Sequence, residues 1–145
     1  GHMAILRELL ETQLLAVLGT HHEGEPYTSL VGFAASPDLK LLYFATGRAT
    51  RKRANLAADA RASMLIDNRR NHPADFSDAA AATAVGTVEE VEGPARAEFE
   101  RVFLAKHPQL TDFVAAPSCA AMRLRVATYL VVTHFQHVIE LHVET

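Results

Sequence analysis

Four cations fall within six consecutive positions of the stretch GRATRKRANLAAD, residues 47–59: Arg48, Arg51, Lys52 and Arg53. The alanine-rich run over 50–59 predicts a short helix with Thr50 as its N-cap. Arg51, Lys52 and Arg53 would then occupy the first turn. A helix N-terminus carries roughly +0.5 of an elementary charge, and its first backbone N–H groups lack partners. Cations there set like charge against like, where Asp or Glu is the ordinary choice. A bound anion reverses the sign of every term, because it takes the free N–H groups, the Thr50 hydroxyl and the cationic side chains together. The arrangement therefore predicts a phosphate site. Taken without its position, the same run reads as a solvated helix face.

The rest of the chain does not share this basic character. Its formal charge is −3, with 14 Lys plus Arg against 17 Asp plus Glu, which argues against a nucleic-acid partner. No apolar run approaches the ~20 residues of a membrane helix, and no secretory leader pattern opens the chain. Cys119 is the sole cysteine, so no intrachain disulfide is possible, and it reads as a small buried hydrophobe. These features lead to the expectation of a cytoplasmic protein without a membrane partner. Gly1-His2-Met3 reads as the remnant of a cleaved tag, which leaves 4–145 as one domain.

The elements that must position the cations follow from periodicity. Residues 4–13 have helical spacing, with Ile5, Leu6, Leu9 and Leu10 on one face. Strands are expected over 14–20, 27–36, 41–46 and 61–67, joined by the turns HHEGEP and PDLK. Residues 68–78 read as a mobile polar loop, long for a hairpin connection and bordering the site as a lid. The run 79–93 has enough Ala for a helix, but Thr83, Val85, Thr87 and Val88 favour a long strand. Gly93-Pro94 opens a helix that ends near His107-Pro108 and carries Phe99, Val102 and Phe103 as its apolar stripe. Alternation over 120–126 and the closing segments TYLVVTHF and HVIELHV complete the strands. Short connections between strands predict an antiparallel meander. The expected fold is mainly β within the α+β class: an antiparallel barrel of six to seven strands with flanking helices.

Other reactive residues carry less. His134 and His137, three apart on an expected strand, would point to opposite faces and converge poorly on one metal ion. His21 and His22 fall in a turn with Glu23 and Glu25 and read as hydrated. No metal site is expected. No serine elbow or glycine-rich nucleotide fingerprint is present. The lack of an acid–base set suits a protein whose cofactor carries the chemistry.

The segment LLYFATGRATRKRANLAADARASMLID resembles the phosphate-binding segment of the pyridoxamine 5′-phosphate oxidase-like, FMN-binding split barrels. Its matching residues are Phe44, Ala45, Thr46, Thr50, Arg51, Lys52, Asn55, Leu56, Asp59, Arg61 and Ser63. Upstream, GEPYTSLVGF resembles the family strand that runs beside the isoalloxazine ring. The resemblance covers residues 8–92. It implies that Arg51 and Lys52 hold the FMN phosphate, with Thr50 as hydroxyl donor. It implies that Ala45 and Thr46 contact the ribityl chain or phosphate. Ser29, Leu30, Val31 and Gly32 would present backbone to the flavin ring, and Gly32 would permit close approach. Arg48 and Arg53 match no family position and read as surface charge. The resemblance further implies an FMN-dependent oxidoreductase of unknown small-molecule substrate, a homodimer with flavin between subunits. Two alternatives stay open: a flavin binder without turnover, and a haem-binding or haem-degrading split barrel with His107, His134 or His137 as axial ligand. The family's C-terminal segment rich in Arg and Trp is not matched by THFQHVIELHVET, and the chain has no Trp, which argues against vitamin B6 oxidation.

Overall fold

The computed structural model describes residues 1–144. Strands β1 (Leu15–His22), β2 (Glu25–Ala35), β3 (Leu41–Gly47), β4 (Arg61–Asp67), β5 (Ala81–Glu90), β6 (Cys119–Thr133) and β7 (His137–His142) form one antiparallel sheet in the order β3-β2-β1-β4-β5-β6-β7. An additional pairing of β3 with β6, from Leu41 opposite Arg125 to Gly47 opposite Cys119, closes six strands into a barrel. β7 extends the sheet beyond it. The expected split barrel is present.

Alternation builds the interior. In β1, Ala16, Leu18 and Thr20 are buried while their neighbours are at least partly exposed. Leu18, Phe33, Phe44, Met64, Ile66, Leu124 and Val131 share this core. The alanines that left residues 79–93 open between helix and strand have a packing role: Ala82 and Ala84 are fully buried on β5, inside the same barrel as Phe33 and Phe44. Small residues on one wall leave room for large ones from another. Beside Val85, β5 slips register at Gly86. A Cβ at Gly86 would lie 2.0 Å from the Arg125 carbonyl oxygen, so β6 approaches there as only glycine allows.

Among the described residues five α-helices decorate the barrel: α1 (His2–Thr12), α2 (Arg51–Ala58), α3 (Asp75–Asp78), α4 (Pro94–Lys106) and α5 (Thr111–Ala115). Leu6, Leu9 and Leu10 of α1 join the barrel core. Phe99 and Phe103 of α4 pack outside it, in a second cluster with Ala34, Tyr43, Val114 and Ala121. Burying such an aromatic stabilises by about 1.5–3 kcal/mol, enough to fix α4 against the outer face of β2 and β3. Lys106 joins the two helix systems. Its Nζ donates to the Leu10 carbonyl at 2.9 Å and lies 3.9 Å from the centre of the Phe33 ring. Burial lowers its pKa to about 8.

Three expectations change. The two strands read over 120–126 and TYLVVTHF are one, β6, of 15 residues, which runs on unbroken while its pairing with β5 shifts register between Val85 and Gly86. The 68–78 segment is a built turn: the Asp75 carboxylate accepts from the backbone N–H groups of Arg70, Asn71 and His72 at 2.8–3.3 Å, and α3 follows. His134 and His137 lie at a hairpin, not along one strand. Left-handed backbone at His134 and Phe135 (φ 49° and 65°) turns the chain and brings the two imidazoles to 5.9 Å.

Candidate functional site

Helix α2 is capped as its sequence predicts. The Thr50 hydroxyl accepts from the Arg53 N–H at 3.3 Å and donates to the Gly47 carbonyl at 3.0 Å. Thr46, buried at the end of β3, lies 3.0 Å from the same hydroxyl and ties strand to cap. Ala54 N–H bonds the Thr50 carbonyl at 3.1 Å, which leaves the N–H groups of Arg51 and Lys52 without a partner among the described residues. Those two groups point out of the helix start, where the dipole favours an anion. No acidic residue occupies this first turn. Because the Thr50 proton is committed to Gly47, Thr50 acts first as a cap and its expected donation to a phosphate would require a switch of partner.

The four cations divide into two pairs. Arg48 Nη1 and Arg53 Nη2 reach the two oxygens of Glu90 at 3.1 and 2.7 Å. Burial works to raise the Glu90 carboxyl, and the hydrogen bonds and charge of Arg48 and Arg53 overcome it and hold the group below the usual glutamate range. Arg48 also donates to the Pro117 carbonyl at 3.2 Å. These two arginines are structural, not loose surface charge. Arg51 and Lys52 have no carboxylate within ion-pair distance among the described residues.

A groove of about 400 Å³ opens beside them on the outer face of the barrel. Leu30, Val31 and Gly32 of β2, Ala45 and Thr46 of β3, and Thr50 and Lys52 line it. Its opposite wall is Phe103, Leu110 and Phe113. Seven of the nine expected site residues therefore meet in one groove. Leu30 is 66% exposed and Phe113 44%, so an apolar rim surrounds a polar end. The floor at Gly32 is bare backbone; a Cβ there would touch His107 and Leu110 at 3.8 Å.

Two expected residues lie elsewhere. Ser29 pairs with Leu18 and takes the barrel side of β2, where its buried Oγ has no hydrogen-bond partner. On a strand only alternate side chains share a face, so Ser29 cannot join Leu30 and Gly32 through its side chain. Arg51 lines a neighbouring cavity of about 580 Å³ with His22, Glu25, Pro26, Tyr27, Ala54 and Asn55, and its guanidinium sits 5.4 Å from the centre of the Tyr27 ring. Of the histidines, His107 is buried under the groove, with Nε2 2.7 Å from the Phe33 carbonyl oxygen and its ring against Phe103. His134 Nδ1 lies 3.0 Å from the Ser77 carbonyl, away from the groove lining. No residue of 68–78 lines the groove, so the expected lid does not follow from this chain's geometry.

The donor set fits a phosphate ester with an apolar planar head: two free N–H groups and the unpaired Lys52 at one end, with Arg51 at the same helix start but lining the neighbouring cavity, and bare backbone and aromatic walls at the other. The six-stranded closed barrel is a split barrel. The chain belongs to the pyridoxamine 5′-phosphate oxidase family, whose sequence model matches residues 4–133. No curated protein matches the chain in sequence. Among solved structures, a heme binding protein from Mycobacterium smegmatis superposes with a TM-score of 0.86 at 20% identity over 98% of this chain. The chain spans 58% of that protein's length. A Clostridium acetobutylicum protein related to general stress protein 26, of the pyridoxinephosphate oxidase family, gives 0.76 at 19% identity, covering 97% of this chain and 94% of its own. A FAD-binding protein of Mesorhizobium loti gives 0.68 at 16% identity, covering 88% and 91%. Among the described residues no helix is long and apolar enough to cross a membrane.

Proposed function

We propose that this protein binds FMN in the groove and uses it as an oxidoreductase acting on a small molecule. The carrying observation is the division of the cations: Glu90 takes Arg48 and Arg53, while Arg51 and Lys52 remain unpaired beside two free N–H groups. The flavin phosphate sits at the start of α2, within reach of Arg51 and Lys52. The ribityl chain passes Ala45 and Thr46, and the ring lies along the β2 backbone at Leu30–Gly32, with Phe113 and Leu110 opposite. Bound flavin would supply the electron-transfer chemistry; the protein supplies orientation and an apolar, water-poor wall. A non-catalytic flavin carrier would have the same groove.

The test is titration of apo-protein with FMN and riboflavin, followed by reduction with NADH or NADPH under anaerobic conditions. FMN binding at least about tenfold tighter than riboflavin is expected from a hydrogen-bonded phosphate. Equal affinity for the two removes the phosphate site, and flavin that is bound but never reduced favours the carrier. The likeness to a heme binding protein supports a second reading, but His107 is held by the Phe33 carbonyl and His134 and His137 lie outside the groove. A Soret band on haem titration that no flavin displaces would reverse the preference.

The protein is further proposed to be a homodimer. Leu30, Val17 and Leu65 stand side by side in register on the outer sheet, beside the exposed rim of the groove. Covering this face with a second copy would also close the flavin's open side. A monomeric mass by light scattering with flavin bound would count against it.

A further inference from the structure

Strand β2 changes partner at the groove. From Glu25 to Gly32 it pairs with β1, and from Phe33 to Ala35 it pairs with β3. Gly32 and Ala45 would be the next opposed pair after Phe33 and Phe44, but the ladder stops there and the two strands part. The groove opens in that parting, with Gly32 and Ala45 among its lining. Phe33 is thus the apex of the split. Its N–H reaches the Leu14 carbonyl, just before β1 begins, at 3.3 Å. Its carbonyl oxygen lies 2.7 Å from His107 Nε2. A carbonyl only accepts, so that nitrogen carries the proton.

His107 is built in from several sides. It caps α4, its backbone N–H bonding the Phe103 carbonyl at 2.9 Å, and its own carbonyl accepts from the Leu110 N–H at 3.0 Å. Its ring packs on Phe103 with centroids 4.8 Å apart. Its Cε1 lies 3.8 Å from the place a Gly32 Cβ would take. One buried imidazole therefore meets the floor, the apex and the Phe103 wall of the groove without lining it. We propose that His107 is a positioning residue for the flavin ring: by holding the Phe33 carbonyl it fixes where β2 leaves β3, and so sets the fit of the groove's ring end. Without that donor the apex is free to shift, and the parting of the two strands with it. A small displacement of a positioning group is felt strongly by the ligand it serves. The inference rests on the flavin reading and concerns the ring alone; the phosphate is left to the start of α2. Riboflavin, which has the ring and no phosphate, is the probe that separates the two.

The experiment titrates wild type, His107→Gln and His107→Leu with FMN and riboflavin, and records the visible circular dichroism of the bound flavin at saturation. Glutamine carries an amide N–H at the place of the imidazole Nε2, whereas leucine fills the space without a donor. His107→Leu is expected to weaken FMN and riboflavin alike, by on the order of tenfold as for a lost buried hydrogen bond, and to change the dichroism. His107→Gln should keep both affinities within about threefold of wild type and keep its dichroism. Should His107→Leu not fold, His107→Asn, whose amide falls short of the Phe33 oxygen, takes its place with the same expectations. Wild-type affinities and dichroism in the variant without the donor overturn the inference and leave His107 a packing residue. A loss confined to FMN also overturns it, because the effect would then lie at the phosphate, and so does a His107→Gln as weak as His107→Leu. In each of these cases wild type still binds both flavins and the flavin reading stands. Wild-type protein that binds neither defeats that reading itself, and the inference falls with it.

Discussion

The two sides of the α2 start carry the same charge and do opposite things. On one side Arg48, in the turn before the helix, and Arg53, in its first turn, converge on Glu90, a carboxylate delivered by the end of β5. On the other, Arg51 and Lys52 meet no carboxylate and border two cavities. A cation that finds an internal partner becomes structure; a cation that finds none keeps its charge for a ligand. The difference was created not by the basic run itself but by one residue about forty positions downstream.

The comparison breaks most visibly through affinity. Lys52→Ala and Arg51→Ala should each raise the FMN dissociation constant by about ten- to a hundredfold, since a hydrogen bond to a charged group is worth roughly 1.5–3 kcal/mol. Riboflavin, lacking the phosphate, should lose less than about threefold. Fluorescence quenching titrations of both flavins measure this directly. Similar losses for both flavins would mean that the substitutions disturb the fold rather than the phosphate.

The paired side should answer in the other currency. Glu90→Gln leaves Arg53, 23% exposed, without its countercharge. A fully buried pair loses several kcal/mol when one partner goes and an exposed pair almost nothing, so about 1–2 kcal/mol of stability is expected here. FMN affinity should stay within about threefold. A flavin affinity that collapses with Glu90→Gln would show that the two sides are not independent.

This division was only partly legible in the sequence. The cap at Thr50, the helix behind it and the strand 61–67 follow from local chemistry, and each lies where its residues predict. Glu90 does not, because its link to Arg48 and Arg53 spans 42 and 37 residues and depends on barrel closure. The wall of Leu110 and Phe113 was equally hidden: α5 has five residues after a single 3₁₀ turn, too short to show a helical period. Ser29 was expected, like Leu30, Val31 and Gly32, to offer backbone; its pairing with Leu18 turns its side chain into the barrel, and the groove lining begins at Leu30. Local signals thus found the polar end of the groove and the bare Gly32 floor, while long-range pairing set the walls and the charge balance.

A pH series sharpens the same contrast. Glu90 has its folded carboxyl held below the ordinary value of 4.5. A depressed carboxyl contributes stability that is fully present above the unfolded value and is lost as pH falls through the folded one. The melting-temperature gap between wild type and Glu90→Gln should therefore be full at pH 7 and shrink below about 4.5, because a protonated Glu90 and a glutamine are alike in charge. A gap unchanged at pH 3 would assign the loss to packing instead.

The smallest effects are those of the apo-protein, and they separate the two unpaired cations from each other. A cation in the first helical turn is unfavourable by about 0.3–1 kcal/mol at low salt. Lys52 makes no ion pair or side-chain hydrogen bond among the described residues to offset this, so Lys52→Ala should raise apo stability by that amount, aided slightly by alanine's better helix propensity. Arg51 rests on the Tyr27 ring, an exposed cation–π contact worth about 0.5–1 kcal/mol, which cancels the dipole cost. Arg51→Ala should accordingly leave apo stability within about 0.5 kcal/mol of wild type. Saturating FMN reverses the order. At a hundredfold excess over its dissociation constant a ligand stabilises by about 2.7 kcal/mol, and a variant with a hundredfold weaker site keeps only a few tenths of that. The melting curves of wild type and Lys52→Ala should thus cross on adding FMN, with the variant higher without ligand and lower with it. Salt should flatten the apo difference, since an exposed dipole term is screened. A variant that is lower in both conditions would place Lys52 among the structural cations beside Arg48 and Arg53, and would leave the start of α2 without its ligand charge.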